Sequence, residues 1–251
     1  MRQELVRGKF IRRYKRFFAD VLLDSGEEVV AHCPNTGTMK TLLEPGAEAW
    51  LRHSDNPKRK LAYSLVLLGV PGGVVGDAEI SARALIDTAL PNGIVAEAIE
   101  AGVLPSLSGY RTLRREVRVG EKSRIDIVLE DSGSDPSAPS CFIEVKNVTM
   151  LSDAGAPRAD FPDAVTERGR KHLGELMTLV DSGQRAVQLF FLGRTDCDRV
   201  GVADAIDPAY AETLRAAAAR GVEIIAAKGT LEAEADGSFS LTVTGECPVE
   251  L

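Results

Sequence analysis

RIDIVLE at residues 124–130 and CFIEVKNV at 141–148 are the two segments from which the fold is read. Both set charged residues inside β-branched, apolar runs. In an extended strand residues i and i+2 share a face, so Glu144 and Lys146 project together while Ile143 and Val145 turn into the opposite layer. If the two strands pair, Asp126 joins them. Two carboxylates beside a carbonyl form a hard oxygen site suited to Mg²⁺ or Mn²⁺ that keeps several waters. Such an ion neutralises charge on a scissile phosphate, and an adjacent lysine orients the nucleophile. Charges flanked by Ile125, Ile127, Ile143 and Val145 need compensation where they are buried. An ordinary Glu–Lys or Asp–Lys ion pair at a sheet end also fits this spacing. A further acid is expected from the preceding helix, with Glu97 first and Glu100 second.

Outward from these strands the pattern is mixed α and β. Upstream, Leu113–Val119 pairs with Arg124–Glu130 through the turn Gly120-Glu121-Lys122-Ser123, and a polar loop, 131–140, leads to Cys141. Helical spacing over Ala82–Ile99, interrupted at Pro91-Asn92-Gly93, predicts one or two helices. Downstream, Asp163–Asp181 reads as a helix bounded by Pro162 and Gly183, with Val165, Leu173, Leu176, Met177 and Val180 as its buried stripe. Ala186–Leu192, a helix at Pro208–Arg220 and Val222–Ala227 then form a strand–helix–strand unit suited to a parallel crossover.

The first eighty residues read differently. Phe17–Leu23 and Glu28–His32 flank the turn Asp24-Ser25-Gly26. Ala47–His53 and Leu61–Val70 add strands, and Pro71-Gly72-Gly73 ends the run. Short strands with basic edges suggest a small barrel, of which the oligonucleotide-binding (OB) fold is one example. We therefore expect two domains, 1–80 and 81–251.

Composition narrows the function classes. The 251 residues carry 30 basic and 37 acidic side chains, net −7, with 44% hydrophobic and 27% charged content, a globular balance. No apolar stretch approaches the ~18–20 residues of a membrane span, so no membrane partner is expected. A charged N-terminus lacks the apolar core of a signal peptide, which points to the cytoplasm. Cys33, Cys141, Cys197 and Cys247 form no C-x-x-C pair and read as reduced thiols. Nothing in the sequence sets an oligomeric state.

Charge is uneven along the chain. Residues 1–16 hold Arg2, Arg7, Lys9, Arg12, Arg13, Lys15 and Arg16 against Glu4 alone. Lys58, Arg59 and Lys60 form a second cluster, and Arg168, Arg170, Lys171 and His172 project from the 163–181 helix. Nucleic-acid backbones respond to local field and not to net charge, so these clusters can hold a nucleic acid, with Arg12, Arg13, Lys15, Arg16, Lys58, Arg59, Lys60, Arg168 and Lys171 as the candidate contacts. A solvated surface explains such runs equally simply.

Several long motifs occur in a familiar order: FIRRYKRFFADV at 10–21, HCPNTGTM at 32–39, SDNPKRK at 54–60, LSGY at 107–110, SRIDIVL at 123–129, FIEVKNVTM at 142–150 and FPDAVTERGRKHLGELM at 161–177. In these the chain resembles the bacterial and archaeal sugar fermentation stimulation protein family, over nearly its whole length. The resemblance implies an α/β fold (α+β overall) with an OB-like barrel followed by a PD-(D/E)xK nuclease-like domain. It also implies sequence-nonspecific DNA binding and a link to maltose metabolism. By position, Asp126, Glu144 and Lys146 match the superfamily's acid, acid and lysine, and Glu97 its helix-borne glutamate. Ile125 stands where the motif's name expects proline. A nuclease-type Mg²⁺ site is the implied chemistry, and a non-catalytic DNA-binding regulator that keeps the nuclease fold is the alternative.

Overall fold

In the computed structural model, all residues are described except 71–73, 76–77, 80–81, 120–122, 134–136, 153–156 and 234–237. The Pro71-Gly72-Gly73 break, the turn at Gly120-Glu121-Lys122 and the middle of the 131–140 loop lie outside the described residues.

The N-terminal half closes into a barrel. Val6–Tyr14, Phe18–Leu23 and Glu28–His32 pair antiparallel in sequence order, and Glu48–His53 pairs with Val6–Tyr14 and with Tyr63–Val70. A short parallel pairing, Ala31↔Tyr63 and His32↔Ser64, closes the ring. Antiparallel strands with one parallel closure form the five-stranded OB-like topology. Alternation fills its interior with Phe10, Ala19, Val21, Ala31, Leu51, Leu65 and Leu68, at most 2% exposed. The turns after Tyr14, His32 and His53 leave from one end of this barrel, because Tyr14 pairs with Phe18, Phe18 with His32, His32 with Ser64 and His53 with Tyr63.

The second sheet has seven strands in the order Arg2–Glu4, Ser238–Cys247, Glu223–Ala233, Arg185–Leu192, Cys141–Val148, Ser123–Ser132 and Tyr110–Val119. Its three central strands are parallel and the others antiparallel. Helix α1 (Pro91–Glu100) packs on one face, with Ile94 and Val95 against Ile127, Ile143 and Val145. Helices α2 (Glu167–Asp181) and α3 (Pro208–Ala219) cover the other through Leu173, Leu176, Tyr210 and Leu214. Burying each leucine is worth about 1.5–3 kcal/mol. Thr166 caps α2 by accepting the Gly169 N–H at 3.0 Å, and Asp207 caps α3 by accepting the Tyr210 N–H at 3.0 Å, just before Pro208 at the first helical position. A smaller sheet of Met150–Leu151, Arg158–Phe161, Arg199–Val202 and Val249–Glu250 borders this core.

Several sequence expectations are corrected. The helical reading of Ala82–Ile99 holds only for α1, because Ala82–Leu85 is a sixth strand pairing with Tyr63–Val70 of the barrel sheet. Arg2–Glu4, at the other end of the barrel segment, joins the edge of the second sheet. Helix α2 starts at Glu167 and not at 163, so Val165 precedes it and is 67% exposed rather than part of the buried stripe. Strands at Val6–Tyr14, Arg158–Phe161, Arg199–Val202 and Ser238–Cys247 were outside the sequence reading. In the first of these, basic residues mask the alternation.

The two halves form one body through buried contacts. Trp50, Val66, Leu67 and Leu85 from the barrel sheet join the core on the α1 face. Arg194, 1% exposed, donates to Asp196 Oδ2 at 2.9 Å and to the Thr149 carbonyl at 3.1 Å, and its backbone bridges Ala84. All four cysteines are free thiols, and burial pushes Cys141 up to about 12. Among the described residues no helix is long and apolar enough to cross a membrane.

Candidate functional site

The sheet ladder between Ser123–Ser132 and Cys141–Val148 ends at Ile127↔Ile143. One residue beyond, Asp126 turns its carboxylate onto the neighbouring strand and accepts the Val145 N–H at Oδ2, 2.7 Å. Its other oxygen, Oδ1, accepts from Asn92 Nδ2 at 2.7 Å. Burial raises the Asp126 pKa, and the nearby Glu144 charge raises it further against these hydrogen bonds. The two acids expected from the strand pattern are therefore brought together.

Glu144 is 3% exposed. Lys146 Nζ donates to its Oε1 at 2.5 Å, and His172 Nδ1 meets the same oxygen. Burial alone would raise this carboxyl, but the hydrogen bond from His172 and the charge and hydrogen bond of Lys146 outweigh it, so its pKa is lowered. Its Oε2 is buried and has no partner among the described residues. Gln188, fully buried in parallel register with Glu144, donates to the Glu144 carbonyl at 3.1 Å and fixes the strand beneath.

His172 lies on the inner side of α2, not on the solvated face expected for it. Arg168 Nε donates to His172 Nε2 at 3.3 Å, which leaves Nδ1 as the nitrogen that donates to Glu144. Lys146 Nζ is also 3.2 Å from Nδ1. A chain of Arg168, His172 and Lys146 thus runs from solvent to the buried Glu144. Its signal in the sequence was a histidine three residues beyond the buried Gly169 and one before the buried Leu173, the spacing of an inward helix face.

Glu97 does not reach this site. Its carboxylate pairs with the N-terminal amine at 2.7 Å and is 54% exposed. Five residues at about 100° each put it some 140° around α1 from Asn92, so the helix offers Asn92 to the acids and Glu97 to the far side. Glu100 borders a separate pocket with Tyr110 and Arg111.

The acids floor a cleft of about 750 Å³ shared by both halves of the chain. Its second-domain wall includes Asn147, Phe161–Thr166 and Arg168, and its barrel wall includes Arg13, Arg16 and Asn35–Thr38. Arg13 shapes that wall: its guanidinium donates to the carbonyls of Asn35, Gly37 and Thr38 at 2.8, 2.9 and 3.2 Å. Thr38 Oγ1 donates to the Asp163 carbonyl at 2.9 Å, and Asp163 Oδ2 accepts the Met39 N–H at 3.2 Å. HCPNTGTM and FPDAV, far apart in the sequence, are thereby one latch.

The other predicted cations disperse. Arg16 and Arg168 are exposed at the cleft. Arg12 pairs with Asp20 at 2.7 Å, Arg59 donates to Ser64 at 2.7 Å, and Lys171 pairs with Glu175 at 3.3 Å. Arg170 turns away to Asp207 at 3.2 Å, buttressing the α3 cap. Lys15, Lys58 and Lys60 are exposed, and Lys58–Lys60 lie in the loop at the barrel end shared with the 15–17 turn, outside the cleft lining.

The chain compares closely with known proteins. The family profile "Sugar fermentation stimulation protein RE domain" matches residues 89–235, and "SfsA N-terminal OB domain" matches 11–76. A sugar fermentation stimulation protein homolog of Maricaulis maris is 50% identical over 226 residues, 89% of this chain and 88% of the relative. That of Rhodospirillum rubrum is 49% identical over 224 residues, covering 88% of each. Among solved structures, that of Pyrococcus furiosus SfsA in complex with Ca²⁺ superposes with a TM-score of 0.80 at 30% identity, covering 98% of this chain and 96% of that one. With both halves matched in order and about half the residues shared along most of its length, the chain belongs to the sugar fermentation stimulation protein family.

Proposed function

We propose that the chain binds DNA through its backbone and cleaves phosphodiester bonds at a divalent-cation site formed by Asp126 and Glu144, with Mg²⁺ or Mn²⁺ as cofactor. The observation that carries this reading is the half-buried carboxylate of Asp126 and the buried one of Glu144 beside Lys146, lining a cleft edged by Arg16 and Arg168.

The residues fit such a cation. Glu144 Oε2 is buried without a partner, and the Asp126 carboxylate is disfavoured by burial and by Glu144, two conditions that a bound positive charge relieves. Among the described residues no group of three or more Asp, Glu, His or Cys is placed to hold a metal, so a cation held by Asp126 and Glu144 would draw its remaining ligands from water. The Pyrococcus furiosus relative was solved with Ca²⁺, which shares this preference for oxygen. When bound, the cation would activate a water and offset charge on the phosphoryl group.

The chain's own groups divide the remaining work. Arg16 and Arg168 bind phosphate oxygens as the strand enters. Lys146 Nζ, held by Glu144, orients the attacking water and donates to the phosphoryl oxygen as its charge grows. Asn92 and the Val145 N–H fix the Asp126 carboxylate, and His172 fixes that of Glu144, so neither acid reorients during the reaction. The water oxygen forms its bond to phosphorus as the bond to the leaving oxygen breaks. Glu97 has no part in these steps. The thiol-bearing core suits a reducing cytoplasm.

Cleavage of labelled DNA with Mg²⁺ or Mn²⁺, compared among wild type, Asp126→Ala and Lys146→Ala, tests this reading. Activity lost in both variants with DNA binding retained supports it. Salt-sensitive binding without cleavage by wild type under any divalent cation replaces it with the non-catalytic regulator, for which maltose metabolism is the setting the family resemblance suggests.

A further inference from the structure

We propose that this site acts on single-stranded nucleic acid and excludes the duplex, and that an unpaired base stacks on Phe17 at the cleft mouth. The inference rests on the nuclease reading above for what happens at the acids, but its binding half is independent of it.

The first observation is access. Glu144 is 3% exposed at the bottom of a cleft of about 750 Å³, the size class of a small-molecule pocket. The Asn35–Thr38 and 161–166 loops both line this cleft, and the bonds from Thr38 and Met39 to Asp163 tie those walls together. A duplex whose major groove alone is about 12 Å wide cannot follow its phosphate into such a space. One extended strand can.

The second observation lies at the barrel end beside the cleft. Phe17 is 46% exposed although it is a large apolar side chain, and it follows the cleft-lining Arg16. Its carbonyl accepts the Cys33 N–H at 2.7 Å, which ties it to the start of the loop that forms the cleft wall. The turn that presents it holds Lys15 and Arg16 in the left-handed region, at φ 47° and 63°. Glycine or asparagine would relieve that conformation, yet both positions carry cations. Tyr14 and Phe18 stack at 5.4 Å beneath the turn and support it. The Lys58–Lys60 loop leaves from the same barrel end. Exposed aromatic surface among exposed cations is the chemistry that holds a single strand, because every base has a π-face and the cations follow the phosphates. A duplex, with its bases stacked inward, offers Phe17 nothing.

The test measures fluorescence anisotropy in EDTA with oligo(dT), oligo(U) and a duplex, each of about 16 nucleotides or base pairs, the upper range for one such barrel. Wild type is expected to bind single strands more tightly than the duplex. Phe17→Ala should weaken single-strand binding by about 5- to 100-fold while leaving duplex binding unchanged, and Phe17→Trp should restore it. The two oligonucleotides separate DNA from RNA as the natural strand. Equal affinity for duplex and single strand, or no effect of Phe17→Ala, overturns the proposal. Adding Mn²⁺ to a duplex with a single-stranded tail separates it from the underlying reading. Single-strand binding without cleavage removes the nuclease and leaves the strand preference, cuts confined to the tail support both, and cuts within the duplex keep the nuclease and overturn this inference.

Discussion

Gly37 of the barrel packs directly on the carboxylate of Asp163 in the second domain, so closely that a Cβ at position 37 would collide with both carboxylate oxygens. The contact lets two loops more than a hundred residues apart close into one cleft wall. It also explains a glycine in HCPNTGTM where φ is not left-handed and the backbone conformation alone would accept other residues.

Gly37→Ala should therefore open the latch without unfolding either core. Asp163 can swing away, but the Met39 N–H then loses its acceptor, a cost of about 1 kcal/mol. Calorimetry should show Tm reduced by about 2–4 °C. A Tm unchanged from wild type would mean that the latch holds nothing together.

Asn92 and Glu97 on the same helix should behave oppositely. Asn92→Ala removes a donor from the Asp126 carboxylate and should lower divalent-cation affinity or cleavage by about 10- to 100-fold. Glu97→Gln should leave both unchanged, because its partner is the N-terminal amine. Isothermal titration with Mn²⁺ checks the pair, and the reverse ranking would restore Glu97 to the site.

Stability should vary with pH through Asp126. Its folded pKa lies above the ordinary 3.8, so the folded state binds more protons than the unfolded state between those two values, and stability falls as pH rises through that window. The stability difference between wild type and Asp126→Ala, measured by urea unfolding in EDTA, should move against wild type over the same window. Saturating Mn²⁺ at about 100 times its Kd should return about 2.7 kcal/mol to wild type. Asp126→Ala should gain little.

His172→Ala leaves the buried Glu144 with Lys146 as its remaining side-chain partner. A loss of about 1–3 kcal/mol is expected from the stranded carboxylate. Burial is then less opposed, so the pH at which the cation binds should rise relative to wild type. Cation titrations at several pH values would detect that displacement, and an unmoved profile would mean that His172 does not act on Glu144.

Arg194→Ala should be costlier than the loss of a surface pair. Asp196 would remain buried without its counter-charge, at about 3–5 kcal/mol. Arg215→Ala, which breaks an exposed pair with Asp204, should cost at most about 1 kcal/mol. Urea midpoints of the two variants give the comparison directly.

The strand and helix periods, the polar breaks and the i, i+2 spacing of Glu144 and Lys146 are local properties, and they determined the mixed fold, most element positions and the pairing of the two acids with the lysine. Pro162 and Gly183 as helix boundaries also placed α2 to within a few residues. Which side chain answers another across the fold is a different matter. Asn92 meets Asp126 across 34 residues, His172 meets Glu144 across 28, and Met39 meets Asp163 across 124. Such partners depend on how far a helix is rotated and how two domains dock, and those are decided by packing of Ile94, Leu173 and Trp50 against the sheet. Periodicity marked Glu97 as an acid on the right helix. Only the tertiary structure decided that the helix turns Asn92 toward the site.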